Sequence, residues 1–97
     1  MKALGVVQSL FLNKAEPVLI DLGSSYTRIY LGKKEAFNGA TCIAVHTNSE
    51  SVVAVGNKAL QLLGKTPDSV EISFPVLNGE VAHTRYLELF LTSVLKE

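Results

Sequence analysis

Between residues 18 and 55 the apolar residues come in short runs and two-residue alternations; from residue 57 onward, spacings of three and four take over, interrupted once. Val18-Leu19-Ile20, directly after Pro17, is an unbroken apolar run of the kind found in a strand covered on both faces. Residues 26–31 alternate, with Thr27, Ile29 and Leu31 on one face and Tyr26, Arg28 and Tyr30 on the other, which predicts a second strand. Asp21-Leu22-Gly23-Ser24-Ser25, lying between the two, has the composition of a turn. Gly32-Lys33 suits a two-residue hairpin leading into a third strand over 34–37, which Asn38-Gly39 is expected to end. Two β-branched runs, 41–46 and 51–55, are joined by the polar turn 47–50 and should pair as another hairpin.

The helical spacings follow. Asn57 is placed to cap a short helix with Ala59, Leu60, Leu62 and Leu63 as its apolar content, Gly64 just past its end and Pro67 as a stop. Residues 70–74 alternate again and mark a last strand before Pro75 and the Asn78-Gly79 turn. Leu87, Phe90, Leu91, Val94 and Leu95 then fall at i, i+3, i+4, i+7 and i+8, a longer helix for which Thr84 is the candidate N-cap. At the other end, Leu4, Val7, Leu10 and Phe11 have helical spacing, so 1–16 reads as a separate segment with a short amphipathic helix and 17–97 as the domain.

Composition narrows the function classes. At 47% apolar and 19% charged the chain has what a folded core requires, although 97 residues bury only about two-thirds of the unfolded surface. Nine acidic residues balance nine basic ones with no Lys/Arg cluster, which argues against nucleic acid as a partner. Cys42 is the single cysteine, so no internal disulfide or cysteine-based zinc site can form, in keeping with the cytoplasm; within an apolar strand, its expected role is packing. His46 and His83 do not match Cys42 at any usual metal-ligand spacing. The nearly uncharged stretch 3–12 is far short of the ~20 residues of a spanning helix. Two readings of the N-terminal segment stand side by side: a membrane-surface helix using Leu4, Val7, Leu10 and Phe11, or an extra element packed on the domain.

One constellation carries chemistry. A carboxylate, Asp21, at the end of a buried strand and followed at once by Gly23-Ser24-Ser25 can hold Mg²⁺ and phosphate together: glycine admits close approach of the backbone, successive amides face an anion, and serine hydroxyls add donors. On spacing alone, such a turn is more often plain hairpin punctuation.

The wider pattern weighs against the plain reading. Asp21-Leu22-Gly23-Ser24-Ser25-Tyr26-Thr27-Arg28-Ile29-Tyr30 resembles the first phosphate motif of the MreB family of bacterial actin homologues, in which Asp-Leu-Gly-Thr, then small or polar residues, lead into a Leu-Ile-Tyr strand. Val53-Ala54-Val55-Gly56, Ala59, Leu62-Leu63-Gly64 and Thr66-Pro67 are similar to the stretch that follows there, and Pro75, Gly79, Val81-Ala82 and the 88–91 helix to the next block. The resemblance implies an α/β (α+β) fold, part of an actin-like (ribonuclease H-like) subdomain with mostly antiparallel strands. It assigns Gly23, Ser24, Ser25, Tyr26 and Thr27 to the phosphates of ATP and Asp21 to the Mg²⁺ shell through water; it assigns no catalytic residue. Two positions depart from the pattern: Ser25-Tyr26 replaces a smaller pair, and His83 stands where aspartate is common.

In that family the second phosphate loop, the hydrolytic residues and the adenosine loop follow later than residue 97. The expectation is therefore an N-terminal portion of a cytoskeletal, cell-shape ATPase that by itself binds MgATP feebly or not at all and does not hydrolyse it. Its expected partners are other copies of itself, in a filament or oligomer, with the inner face of the cell membrane added under the membrane-surface reading of segment 1–16. The alternatives are a standalone or split interaction module that self-associates through an open sheet edge, and part of a sugar-kinase or Hsp70-type actin-fold protein.

Overall fold

The computed structural model describes residues 17–96; the expected N-terminal helix, with Leu4, Val7, Leu10 and Phe11, lies outside the described residues. Strands β1 (Val18–Leu22), β2 (Tyr26–Leu31) and β3 (Lys34–Ala40) form one sheet in the order β1-β2-β3. Strands β4 (Ile43–His46), β5 (Val52–Val55) and β6 (Val70–Ser73) form a second in the order β5-β4-β6, and β7 (Val76–Leu77) pairs with β8 (Glu80–Val81). Every pairing is antiparallel. Helix α1 (Asn57–Gln61) follows β5, and helix α2 (Thr84–Leu95) follows β8, so the fold is mixed α/β on antiparallel sheets, as expected.

The alternation of β2 is realised: Thr27 and Ile29 are buried while Tyr26 and Arg28 face outward. The β2–β3 hairpin turns on Gly32 with a positive φ of 62°, the type II′ pattern that suits the twist of paired strands. The hairpin 43–55 also forms, with its turn ending at Glu50 in the left-handed region, φ 59°.

Several expectations are corrected. β1 is not covered on both faces: Leu19, between buried Val18 and Ile20, is 42% exposed, and among the described residues β1 is also the edge of its sheet. Asp21 and Leu22 stay in the ladder opposite Arg28 and Thr27, so the turn shrinks to residues 23–25. Asn38-Gly39 does not end β3; the strand continues to Ala40 after a bulge at Ala36, where Ile29 faces Phe37 but Tyr30 faces Glu35. The Phe37 ring folds across Gly39: a Cβ there would lie 3.3 Å from that ring, a tight contact that glycine avoids.

Both helix caps fall one residue earlier than expected. Gly56 caps α1 with φ 71°, and a Cβ on it would approach the Phe37 ring to 2.9 Å. Asn57 instead accepts a hydrogen bond from the Ala40 amide at 3.0 Å, fastening α1 to the end of β3. Of the apolar residues expected in this helix Ala59 is buried, whereas Leu60 and Leu63 are exposed. His83 caps α2, its Nδ1 accepting from the Tyr86 amide at 3.3 Å with the two rings stacked 3.9 Å apart; Thr84 is the first helical residue. β6 is not the last strand either, because Asn78 and Gly79, both at positive φ, close the small β7–β8 hairpin in the type I′ manner.

Helix α2 joins the two sheets. Tyr86, Phe90 and Val94, one helical turn apart, form a cluster with Val18, Ile20 and Ile29 from the first sheet and Ile43 and Val45 from the second. Phe90 meets Phe37 edge to face, centroids 5.8 Å apart. On the opposite face of β4, Ala44 packs with Ala40, Cys42 and Ala59 of α1, so β4 is buried on both sides.

Candidate functional site

The turn between β1 and β2 is tight because its first residue has no side chain. The Gly23 amide donates to the Tyr26 carbonyl at 3.0 Å, and a Cβ on Gly23 would lie 3.1 Å from that same oxygen. Three further bonds tie the turn to the rest of the chain. Ser24 Oγ accepts from the Gly79 amide at 2.8 Å, linking it to the β7–β8 turn. The Ser25 carbonyl accepts from the Thr41 amide at 3.0 Å. Just inside, the hydroxyls of Thr27 and Thr41 share a 2.7 Å bond, both side chains fully buried. A surface turn held at so many points keeps its amides in one arrangement, which is what an anion-binding loop requires.

Outside the turn lies an open face. Asp21 is directly across the ladder from Arg28, and Arg28 from Asn38. Opposed residues in an antiparallel pair project to the same side, and Asp21, Tyr26, Arg28 and Asn38 line one open depression next to the turn. Tyr26 is 60% exposed. Of the residues singled out in the sequence, Asp21, Ser25 and Tyr26 are on the open side and Ser24 is half-buried with its oxygen already bonded. Thr27 differs from the others: its hydroxyl is committed to Thr41 in the interior, so its side chain anchors the turn rather than facing a ligand.

Arg28, Asn38, Thr41 and Gly79 also take part in the site, beyond the residues the motif points to. Arg28 had a usable signal, since alternation already put it beside Tyr26 and a tight turn after Leu22 sets it opposite Asp21. Asn38 had none, because its register depends on the bulge at Ala36. His46 and His83 are exposed on different elements. Cys42 is fully buried and desolvation pushes its thiol up to about 11, the opposite of a reactive thiolate. Among the described residues no three His, Cys, Asp or Glu side chains converge as a metal-binding group, and no helix is long and apolar enough to cross a membrane.

Residues 15–97 match the protein family described as MreB/Mbl protein. The chain belongs to the MreB/Mbl family. Its MreB/Mbl relatives include the cell shape-determining protein Mbl of Bacillus subtilis strain 168, 32% identical over 78 residues, covering 79% of this chain and 23% of that protein. The cell shape-determining protein MreB of Escherichia coli K12 is 32% identical over 83 residues, covering 80% and 24%. The chain thus spans about a quarter of the length of the curated MreB/Mbl proteins it matches. Among solved structures, the fold superposes on MreB 5 of Spiroplasma citri bound to AMPPNP with a TM-score of 0.72 at 23% identity, covering 80% of this chain and 24% of that one. The ADP-bound structure of the same Spiroplasma protein gives 0.64 at 25% identity over 79% and 25%. The actin-like architecture implied by the sequence motifs is therefore the architecture present.

Proposed function

We propose that this MreB/Mbl chain supplies the first phosphate grip of an ATP-binding, cell-shape filament protein. The observation that carries the reading is the anchored turn 23–25 with the exposed Asp21 carboxylate at its rim, inside a fold shared with a protein solved with AMPPNP. In this reading the amides of Ser24, Ser25 and Tyr26 and the Ser25 hydroxyl face phosphate oxygens, while Gly23 lets the backbone come close. Asp21 holds the Mg²⁺ shell through water. A single carboxylate on an open face fits an ion that keeps most of its hydration, and no denser ligand group competes for it among the described residues. Thr27 and Thr41 hold the turn in place from within.

A bound nucleoside triphosphate brings a γ-phosphate whose presence or loss distinguishes two states of the subunit; the chain's own part is to bind and orient it. Filaments made by head-to-tail contact use heterologous surfaces, and such contacts propagate without closing. The cytoplasm and the inner membrane surface, met through segment 1–16, belong to the same reading. Neither the interaction-module alternative nor the sugar-kinase and Hsp70 alternatives gain support from the family match.

The test replaces the matching segment of Bacillus subtilis Mbl with residues 15–97 of this chain. The folded chimaera should bind MgATP by isothermal titration, and Asp21→Ala should weaken binding about tenfold, the size of one lost ion-centred contact. A chimaera with native-like circular dichroism that binds no nucleotide, or binds it equally well without Asp21, would overturn the reading.

A further inference from the structure

We propose that Arg28 is a second phosphate-binding group, which takes the phosphate adjacent to the one held by the turn and so favours nucleoside di- and triphosphates over monophosphates. The proposal rests on the phosphate reading of the 23–25 turn and adds to it a residue that the reading does not use.

Placement comes first. Arg28 is opposite Asp21 on β1 and Asn38 on β3, and these three with Tyr26 line the depression that opens beside the turn. It lies two residues along β2 from Tyr26, about 7 Å at the rise of a strand. A group bound at the turn amides therefore leaves its next phosphate within reach of the long arginine side chain. The guanidinium is also available. Among the described residues the ion pairs recorded for arginine are those of Arg85, with Glu50 and Glu88, and Arg28 is exposed.

The chemistry follows from the residue type. A planar fork of N–H donors binds phosphate in two-pronged fashion, and it stays charged at any physiological pH. Asn38 on the neighbouring strand adds an amide, whose Nδ2 meanwhile donates to Glu35 at 3.4 Å, at the long limit of a hydrogen bond. Asp21 facing Arg28 keeps the row close to neutral when nothing is bound. With a hydrated cation on the Asp21 side and the guanidinium on the other, two successive phosphates are each met by positive charge. The motif resembled by residues 21–30 has leucine where this chain has Arg28, so the extra charge is a property of this chain.

The plainer role for Arg28 is half of an exposed cross-strand charge pair, contributing only to the sheet. NMR titration of the ¹⁵N-labelled Mbl chimaera that carries residues 15–97 separates the two, because it resolves the turn amides and the Arg28 side chain individually. MgATP and inorganic tripolyphosphate should shift the Arg28 Nε–H together with the amides of residues 24–26, whereas AMP and inorganic phosphate should shift the turn amides alone. Arg28→Leu should weaken MgATP about tenfold and leave AMP unchanged, with Arg28→Lys between. An unchanged MgATP response in Arg28→Leu, or an equal loss for AMP, overturns the proposal while leaving the turn as a phosphate site. If no phosphate compound shifts the turn amides, the underlying reading fails and this proposal with it, even if Arg28 responds, since that response would be non-specific attraction.

Discussion

β2 and β4 are both central strands, each hydrogen-bonded on its two sides, yet they are packed differently. In β4 the consecutive residues Ile43, Ala44 and Val45 are all fully buried, Ile43 and Val45 toward α2 and Ala44 toward α1. In β2 only Thr27 and Ile29 are buried, and Tyr26 and Arg28 face outward over the depression beside the turn. Being central in the ladder is thus not the same as being central in the core. The second sheet uses both faces for stability, whereas the first keeps one face free. Only that free face can present a carboxylate, a guanidinium and a turn to a ligand, so among the described residues the candidate phosphate-site side chains come from the first sheet and its β1–β2 turn.

The contrast depends on α2 holding the two sheets together, and the largest predicted effect tests that dependence. Phe90 is fully buried against residues of both sheets and against the Phe37 ring. Phe90→Ala should lower stability by about 3–5 kcal/mol, read as a fall in the urea midpoint with little change in slope. A loss below about 1.5 kcal/mol would show that the sheets do not share one core and that the open and closed faces are independent features.

The sequence made this contrast readable where packing follows pattern. The alternation of residues 26–31 separated the two faces of β2, whereas Ile43-Ala44-Val45, read only as part of a hairpin, turns out to be an unbroken apolar run covered on both sides. The both-faces reading failed at Val18-Leu19-Ile20, because coverage depends on what the rest of the fold lays on a strand, and Leu19 stays 42% exposed. Local chemistry misled at Asn38-Gly39 and Asn57, where turn and cap residues serve tertiary contacts: glycine makes room for the Phe37 ring, and the Asn57 oxygen accepts from Ala40. At the site, Asp21 and the glycine turn were legible as a motif. The bonds that fix it, Ser24 to Gly79 and Thr27 to Thr41, span 55 and 14 residues and had no sequence signature.

The Thr27–Thr41 pair lies where the two sheets meet, and its predicted effect is intermediate. Thr27→Val keeps the volume but leaves the buried Thr41 hydroxyl without its 2.7 Å partner, so stability should fall by about 1–3 kcal/mol. Replacing both with valine removes both polar groups and should recover most of that loss, because two apolar groups of the same shape are nearly neutral in exchange for a satisfied pair. A double mutant as unstable as the sum of the single mutants would mean the threonines act separately rather than through their shared bond.

The smallest effect is a pH dependence that belongs to the closed sheet. Burial of Cys42, fully inside the second cluster, raises its thiol from an ordinary value of 9.0 to about 11. Above pH 9.0 the unfolded chain gives up this proton while the folded chain retains it, so the unfolded state binds fewer protons and stability must fall as pH rises. The contribution is fully present below pH 9.0, declines between 9.0 and about 11, and is lost above that. At pH 9.5 the deficit should be somewhat under about 1 kcal/mol, measured as the urea midpoint relative to pH 8. The Tyr86 phenol, raised by burial and by its bond to Glu71, adds a decline of the same sign, starting from an ordinary value of 10.0. Cys42→Ala separates the two by removing the thiol's share of the slope whatever it does to absolute stability. A variant with the wild-type slope between pH 8 and 9.5 would show that Cys42 is open to water, and that the face of β4 covered by α1 is not as closed as the contrast with β2 requires.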